Sequence, residues 1–151
     1  MEFSTPDLSD AFPEVKALLP IMKNYGGKSS FFGPIQTLKC PDDNSLIKEQ
    51  LNSEGNNQVL IVDAEGVNTV ALLGDLIAEA GMKNNWSGIV VNGYIRDVDI
   101  IKTLDIGVQA LGTYPIKSEK RGLGELGIEI CFGGLTFRPG QYIYADNNGL
   151  L

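Results

Sequence analysis

The sequence predicts an α/β fold built around a mixed sheet, and two patterns carry that prediction. Through most of the chain, short unbroken aliphatic runs alternate with segments of helical spacing, as in strands covered on both faces. From Gly127 onward the apolar period changes to two, the mark of antiparallel strands with one face exposed. The 151 residues fit one domain, 1–151. No internal repeat or low-complexity tract interrupts it.

Leu8 to Leu19 reads as a short helix, entered past Pro6 and closed near Pro20. Tyr25-Gly26-Gly27 is a turn, and Phe31 to Leu38 is extended. Pro41-Asp42-Asp43-Asn44 is loop chemistry with Asp43 or Asn44 as a helix cap. The helix that follows aligns Leu46, Ile47 and Leu51 and stops near Gly55. Val59 to Asp63 reads as a central strand, and Thr69 to Leu73 as another, ending at Gly74. A helix from Asp75 to about Asn84 is expected to bury Leu76, Ile77 and Ala80 and to expose Glu79 and Lys83. Gly88 to Asn92 is the next strand, closed by Gly93. Val98, Ile101 and Leu104 fall on one helical face, and Gly107 to Gly112 is a further strand. Lys117 to Gly122 reads as a mobile loop. In the tail, Ile128, Ile130 and Phe132 alternate with Glu129 and Cys131. Gly133-Gly134 and Pro139-Gly140 turn the chain, and Tyr142 to Asp146 closes it as a strand.

Composition narrows the chemistry. The net charge is −7, from 19 acidic and 12 basic residues. A surface that negative repels phosphate backbones, so direct nucleic-acid binding is not expected. The chain has no histidine, which removes the commonest general base and the commonest zinc ligand. A metal would have to be held by oxygen, favouring magnesium or manganese. Cys40 and Cys131 are far apart and read as reduced thiols of a cytoplasmic protein. No apolar stretch reaches bilayer length, and the acidic Met1 to Asp10 segment does not read as a secretory signal, so no membrane association is expected.

Two junctions stand out. Gly74-Asp75-Leu76-Ile77 opens a helix directly after an apolar run, where unpaired N–H groups and the helix dipole favour a carboxylate. Gly74 permits close approach, and Asp75 is either a cap or a group that orients water. Arg96-Asp97 has the same placement after the Gly88 strand. A guanidinium grips a carboxylate through paired hydrogen bonds, and an aspartate suits a hard cation. Each junction alone is equally readable as helix capping with a surface ion pair. Their recurrence at neighbouring strand ends suggests one shared crevice. Asp63 ends a buried strand and either lines a site or caps a turn. Arg121, Arg138, Lys83, Lys102 and Lys117 read as exposed, Trp86 as core, and Tyr142 and Tyr144 as packing.

These residues also resemble a known family. Val59 to Asp63, Ala71 to Ala78, Gly88 to Val98 and Leu104 to Ala110 look like its ordered signatures. Phe132-Gly133-Gly134, Pro139-Gly140 and Tyr144-Ala145-Asp146 complete the pattern. The family is that of the regulator of ribonuclease E activity A, which also holds the class II 4-hydroxy-4-methyl-2-oxoglutarate aldolases. The likeness spans about Leu8 to Leu150. It implies a swivelling β/β/α fold, a ring-shaped homotrimer and a divalent metal. In the aldolase members the Gly-Asp-Leu-Ile backbone and the following arginine bind the 2-oxo acid, and the next aspartate holds the metal. Carried over, Gly74, Asp75, Leu76, Ile77 and Arg96 bind substrate, Asp97 binds magnesium or manganese, and Arg96 and Asp75 are catalytic. The resemblance further implies an acidic residue from a neighbouring subunit. Ala64-Glu65-Gly66 departs from the family's glycine-rich stretch. The expected activity is cleavage of 4-hydroxy-4-methyl-2-oxoglutarate-type substrates to pyruvate, with oxaloacetate decarboxylation beside it. The alternative is a non-catalytic regulator that docks on a ribonuclease E or helicase partner.

Overall fold

The computed structural model describes residues 2–151. Helix α1 spans Thr5–Ala11 and is capped by Ser4, whose hydroxyl accepts from the Asp7 N–H at 3.2 Å. The helix starts earlier and stops sooner than the apolar spacing implies. Pro13 lacks an N–H and its ring clashes with a preceding helical turn, so the chain leaves the helix at Phe12. Thr5 anchors this end by donating its N–H and hydroxyl to the two Asp146 carboxylate oxygens, at 2.8 and 2.7 Å. The segment that follows is held by the Leu18 N–H on the Leu150 carbonyl, 2.9 Å, and the Leu19 N–H on the Gly133 carbonyl, 3.0 Å.

The sheet is built from β1 (Lys23–Asn24), β2 (Phe31–Lys39), β3 (Val59–Asp63), β4 (Gly88–Ile95), β5 (Gly107–Thr113), β6 (Glu125–Leu126), β9 (Tyr142–Asp146) and β10 (Gly149–Leu150). Its order is β1-β5-β4-β3-β2-β9-β10, with β6 also on β2. The β2, β3, β4 and β5 strands run parallel, and the flanking strands are antiparallel. A separate hairpin joins β7 (Ile130–Phe132) to β8 (Leu135–Phe137) through Gly133-Gly134. This is the mixed α/β architecture the patterns call for.

Burial explains the unbroken aliphatic runs. Leu60 and Val62 of β3 pack in one core with Leu38, Ile89 and Val91, under helices α2 (Ser45–Leu51), α3 (Asp75–Lys83) and α4 (Val98–Ile101). Val59 and Ile61 point to a second core with Phe31, Ile35, Ile130, Phe137 and Ile143 on the opposite face. Trp86 is buried in the first core and donates its indole N–H to the Ser53 carbonyl at 3.0 Å. A Cβ on Gly107 would lie 2.1 Å from the Phe31 ring, so the start of β5 has to be glycine for that ring to seat. Tyr144 stacks on Phe32, with ring centroids 5.6 Å apart, but Tyr142 is exposed rather than packed.

Two expectations about connecting segments are corrected. Thr69 to Leu73 is not a sheet strand. It makes isolated parallel bridges from Ala71 to Tyr94 and Lys117, and so runs alongside the end of β4 without extending into a strand. Lys117 to Gly122 is not free. The buried Asp43 carboxylate accepts the Arg121 and Leu123 N–H groups, at 2.7 and 3.0 Å, with its second oxygen. Its first oxygen accepts the Ser45 N–H and hydroxyl, at 2.8 and 2.6 Å, just ahead of α2, whose N-cap position falls on Asn44 with no side-chain bond. Arg121 also pairs with Asp42. Cys40 is buried and its thiol is pushed up to about 12, first by burial and then by Asp43 and Asp63, so it is chemically quiet.

Burial alone would raise the Asp43 carboxyl. The Ser45 hydroxyl and the Leu123, Ser45 and Arg121 amides outweigh it and hold the group well below the ordinary carboxylate range. The stabilisation is therefore complete at neutral pH, begins to fade as pH drops through about 4, and is lost toward the lower folded value. Asp43→Asn is expected to lower the unfolding free energy at pH 7 by about 1–3 kcal/mol. Urea melts across pH should show the gap between variant and parent narrowing below about pH 4. A gap independent of pH would contradict this account.

Candidate active site

The two junctions singled out in the sequence meet. The apolar run ahead of Gly74 docks on β4 through the Leu72 N–H to the Tyr94 carbonyl, 2.8 Å, and the Arg96 N–H to the Leu73 carbonyl, 2.9 Å. These bonds bring the start of α3 against Arg96 and Asp97. The neighbours are thus the end of β4 and a short stretch bridged beside it in parallel, each running into the start of a helix.

Asp97 is left-handed, with φ 58° and ψ 35°. That conformation costs of order 1 kcal/mol in a residue with a Cβ, and aspartate tolerates it better than most. Its side chain does not cap its own helix, α4. Oδ2 instead accepts the Asp75 N–H at 3.2 Å, across 22 residues of sequence. A Cβ on Gly74 would stand 2.8 Å from that same oxygen. Glycine therefore lets the carboxylate close on the amide end of α3. The Arg96 Nε lies 3.9 Å from Asp97 Oδ2, and its Nη1 donates to the Pro115 carbonyl at 3.3 Å. Both side chains stay roughly one-third exposed, at 38% and 36%, so each is ordered yet reachable.

Gly74, Asp75, Leu76, Ile77, Arg96 and Asp97 border one hollow of about 300 Å³. A second hollow, about 320 Å³, lies on the other side of Arg96 and Asp97, against Thr113, Tyr114 and Pro115. Leu76 is not buried as the helical spacing suggested. It is 75% exposed at the mouth, while Ala78 and Gly81 face the core. The remaining wall of the first hollow was not foreseen. It comprises Asn44, Lys48 and Asn52 from α2 and its approach, and Lys117, Ser118 and Lys120 from the stapled segment. The spacing of Asn44, Lys48 and Asn52 at i, i+4 and i+8 is a signal of one shared face that a closer reading could have used. Four cationic side chains and two carboxylates border this hollow, a local excess of positive charge in a chain of net charge −7.

The other candidates fall away. Asp63 is buried and accepts the Glu65 N–H and the Asn92 amide, both at 2.9 Å, so it caps the turn. Arg138 pairs with Glu129 at 2.9 Å on the surface. Lys83 pairs with Glu79 and Lys102 with Asp99, both exposed. Among the described residues no three Cys, Asp or Glu side chains cluster as a metal site. An ion here would rest on Asp97 with ligand and water oxygens, a donor set that suits magnesium and excludes a structural zinc.

Fold and site together define a mixed α/β protein with a hollow where a helix N-terminus, an arginine and an aspartate converge. The chain belongs to the RraA-like family, described as Aldolase/RraA, which matches residues 5–151. It is 53% identical to an Azotobacter vinelandii protein named "Putative 4-hydroxy-4-methyl-2-oxoglutarate aldolase", over 100% of this chain and 94% of the relative. It superposes with a TM-score of 0.95 and 40% identity on the RNA-processing inhibitor RraA from Thermus thermophilis, covering 99% of this chain and 92% of the other. It matches equally well, with a TM-score of 0.95 and 40% identity, a Geobacillus kaustophilus structure titled S-adenosylmethionine: 2-dimethylmenaquinone methyltransferase, covering 98% and 92% of the two chains. The three names disagree about activity, so the residues of the hollow have to decide it.

Gly74→Ala is expected to move the Asp97 carboxylate while leaving the fold in place, because the clash is with the tip of a side chain. The stability loss should be about 1 kcal/mol, the worth of one hydrogen bond. In amide NMR spectra, Gly74→Ala and Asp97→Ala should perturb the same small set of peaks at the start of α3, led by Asp75. Perturbations spread through the sheet would contradict it.

Proposed function

We propose that the protein is a divalent-metal-dependent lyase that cleaves 4-hydroxy-4-methyl-2-oxoglutarate-type substrates to pyruvate, with oxaloacetate decarboxylation as a second activity of the same site. The observation that carries this reading is the convergence of the Asp75 amide, the Arg96 guanidinium and the Asp97 carboxylate at one hollow. The aldolase name of the Azotobacter relative supports it.

In this reading the N–H groups of Leu76 and Ile77 and the Arg96 guanidinium bind the carboxylate of the 2-oxo acid. Asp97 is the residue that would hold magnesium or manganese, which when bound supplies Lewis-acid polarisation of the keto oxygen. Cleavage breaks the bond between C3 and C4, and the electron pair moves onto the oxo-acid half. Arg96 stabilises the negative charge that collects on its keto oxygen. Asp75 accepts the 4-hydroxyl proton through a water it orients, in a chain with no histidine for the task. Loss of carbon dioxide from oxaloacetate leaves the same charge on the same atom, so one set of groups serves both reactions. In this reading the protein assembles as a homotrimer, and an acidic residue of a neighbour completes the site.

Arg96→Ala and Asp97→Ala are each expected to lower magnesium-dependent pyruvate release by about 100-fold or more, the usual effect of removing a charge-stabilising group. Asp75→Asn should retain metal binding and lose turnover. Chelator should abolish activity in the parent protein. Release no faster than with buffer and magnesium alone would refute the proposal. A second reading, a protein-binding regulator of a ribonuclease E or helicase partner, draws support from the structural match to the RNA-processing inhibitor and the net charge of −7, which would attract a basic arm. Binding to such an arm that survives Asp97→Ala would support that role beside catalysis.

A further inference from the structure

Asp97 stands where the carboxylate of a ligand is expected. Its Oδ2 accepts the Asp75 N–H at 3.2 Å and lies 3.9 Å from the Arg96 Nε. The same oxygen fills the gap that Gly74 leaves, 2.8 Å from where a Cβ would stand. The amide end of α3 and the arginine are the groups assigned above to the acid of a substrate. In this structure a carboxylate of the chain itself faces both. Helix capping does not account for the contact, because Asp97 makes no side-chain bond to α4, the helix it opens. The hold is also light. Among the described residues one hydrogen bond, at the long end of the usual range, secures a side chain that is 36% exposed.

Two carboxylates at one small seat repel each other and compete for the same donors. We propose that Asp97 is a gate, an internal anion that blocks the seat of the substrate's carboxylate until it is drawn off. This rests on the reading of the hollow as a 2-oxo acid site and adds control of entry to it. Once Asp97 engages a cation, its charge is offset, and Arg96 and the α3 amides are free to take the acid. While it holds none, the carboxylate keeps the hollow closed to acids that could bind there without reacting.

Amide NMR titration with pyruvate in metal-free buffer tests this on the parent, Asp97→Gly, Asp97→Asn and Asp99→Asn. Glycine and asparagine both accept the left-handed backbone at position 97, so either variant can carry the test if the other unfolds. Circular dichroism melts verify folding. Asp97→Gly is expected to bind pyruvate at least about tenfold more tightly than the parent, with shifts centred on Leu76 and Ile77. Asp97→Asn should gain less, because a neutral acceptor still holds the Asp75 amide. Asp99→Asn removes the same charge from an exposed side chain paired with Lys102, and should gain nothing. No gain in the Asp97 variants overturns the gate, and so does an equal gain in Asp99→Asn. Cleavage of 4-hydroxy-4-methyl-2-oxoglutarate by the parent with magnesium is followed separately. Gain without cleavage upholds the gate and refutes the lyase; cleavage without gain does the reverse.

Discussion

The contact on which the rest of this structure turns is the one between the Asp97 carboxylate and the first amide of α3. It joins two junctions 22 residues apart and requires three local concessions at once. Asp97 adopts a left-handed backbone, Gly74 forgoes a side chain, and a segment that could have been a full strand keeps only single parallel bridges beside the end of β4. None of these helps the fold by itself. Together they place a carboxylate, a guanidinium and a row of amide donors around one small volume.

The sheet makes that arrangement rigid. β3 and β4 are buried on both faces, so the end of β4, where Arg96 and Asp97 begin, has little freedom. The bridged segment is clamped between Tyr94 and Ile116 by backbone bonds of 2.8 and 2.6 Å. On the far side, Asp43 ties the 117–124 stretch to the start of α2. The hollow is thus bounded by elements anchored in the core, which limits how far its groups can stray.

The central strands and the two junctions were legible because their signals are local. Val59 to Asp63 is apolar at every position because both faces are covered, and Gly-Asp and Arg-Asp at element ends are helix-start chemistry. What escaped was set by distance. Pro13 was enough to end α1, but the apolar spacing beyond it, which serves packing against the β7–β8 hairpin, imitates a longer helix. Ala71 to Leu73 has strand composition because it is buried, and nothing in its residues tells a full strand from a stretch that makes single bridges. The flexible-looking Lys117 to Gly122 segment is ordered by an aspartate 78 residues away. Asn44 and Ser118 carry no sequence signal of their own; only the fold sets them beside Arg96.

Relatives of similar identity bear names from three different activities, which is expected when one scaffold carries a site whose outcome depends on a few side chains. The most direct test is a crystal structure of the protein with magnesium and oxalate, a mimic of the oxo-acid end with charge on both oxygens. The account predicts the ion on Asp97, with oxalate bridging it to the Arg96 guanidinium and the amides of Leu76 and Ile77. Oxalate or magnesium bound elsewhere, with Asp97 still closed on the Asp75 amide and the hollow holding only water, would contradict it.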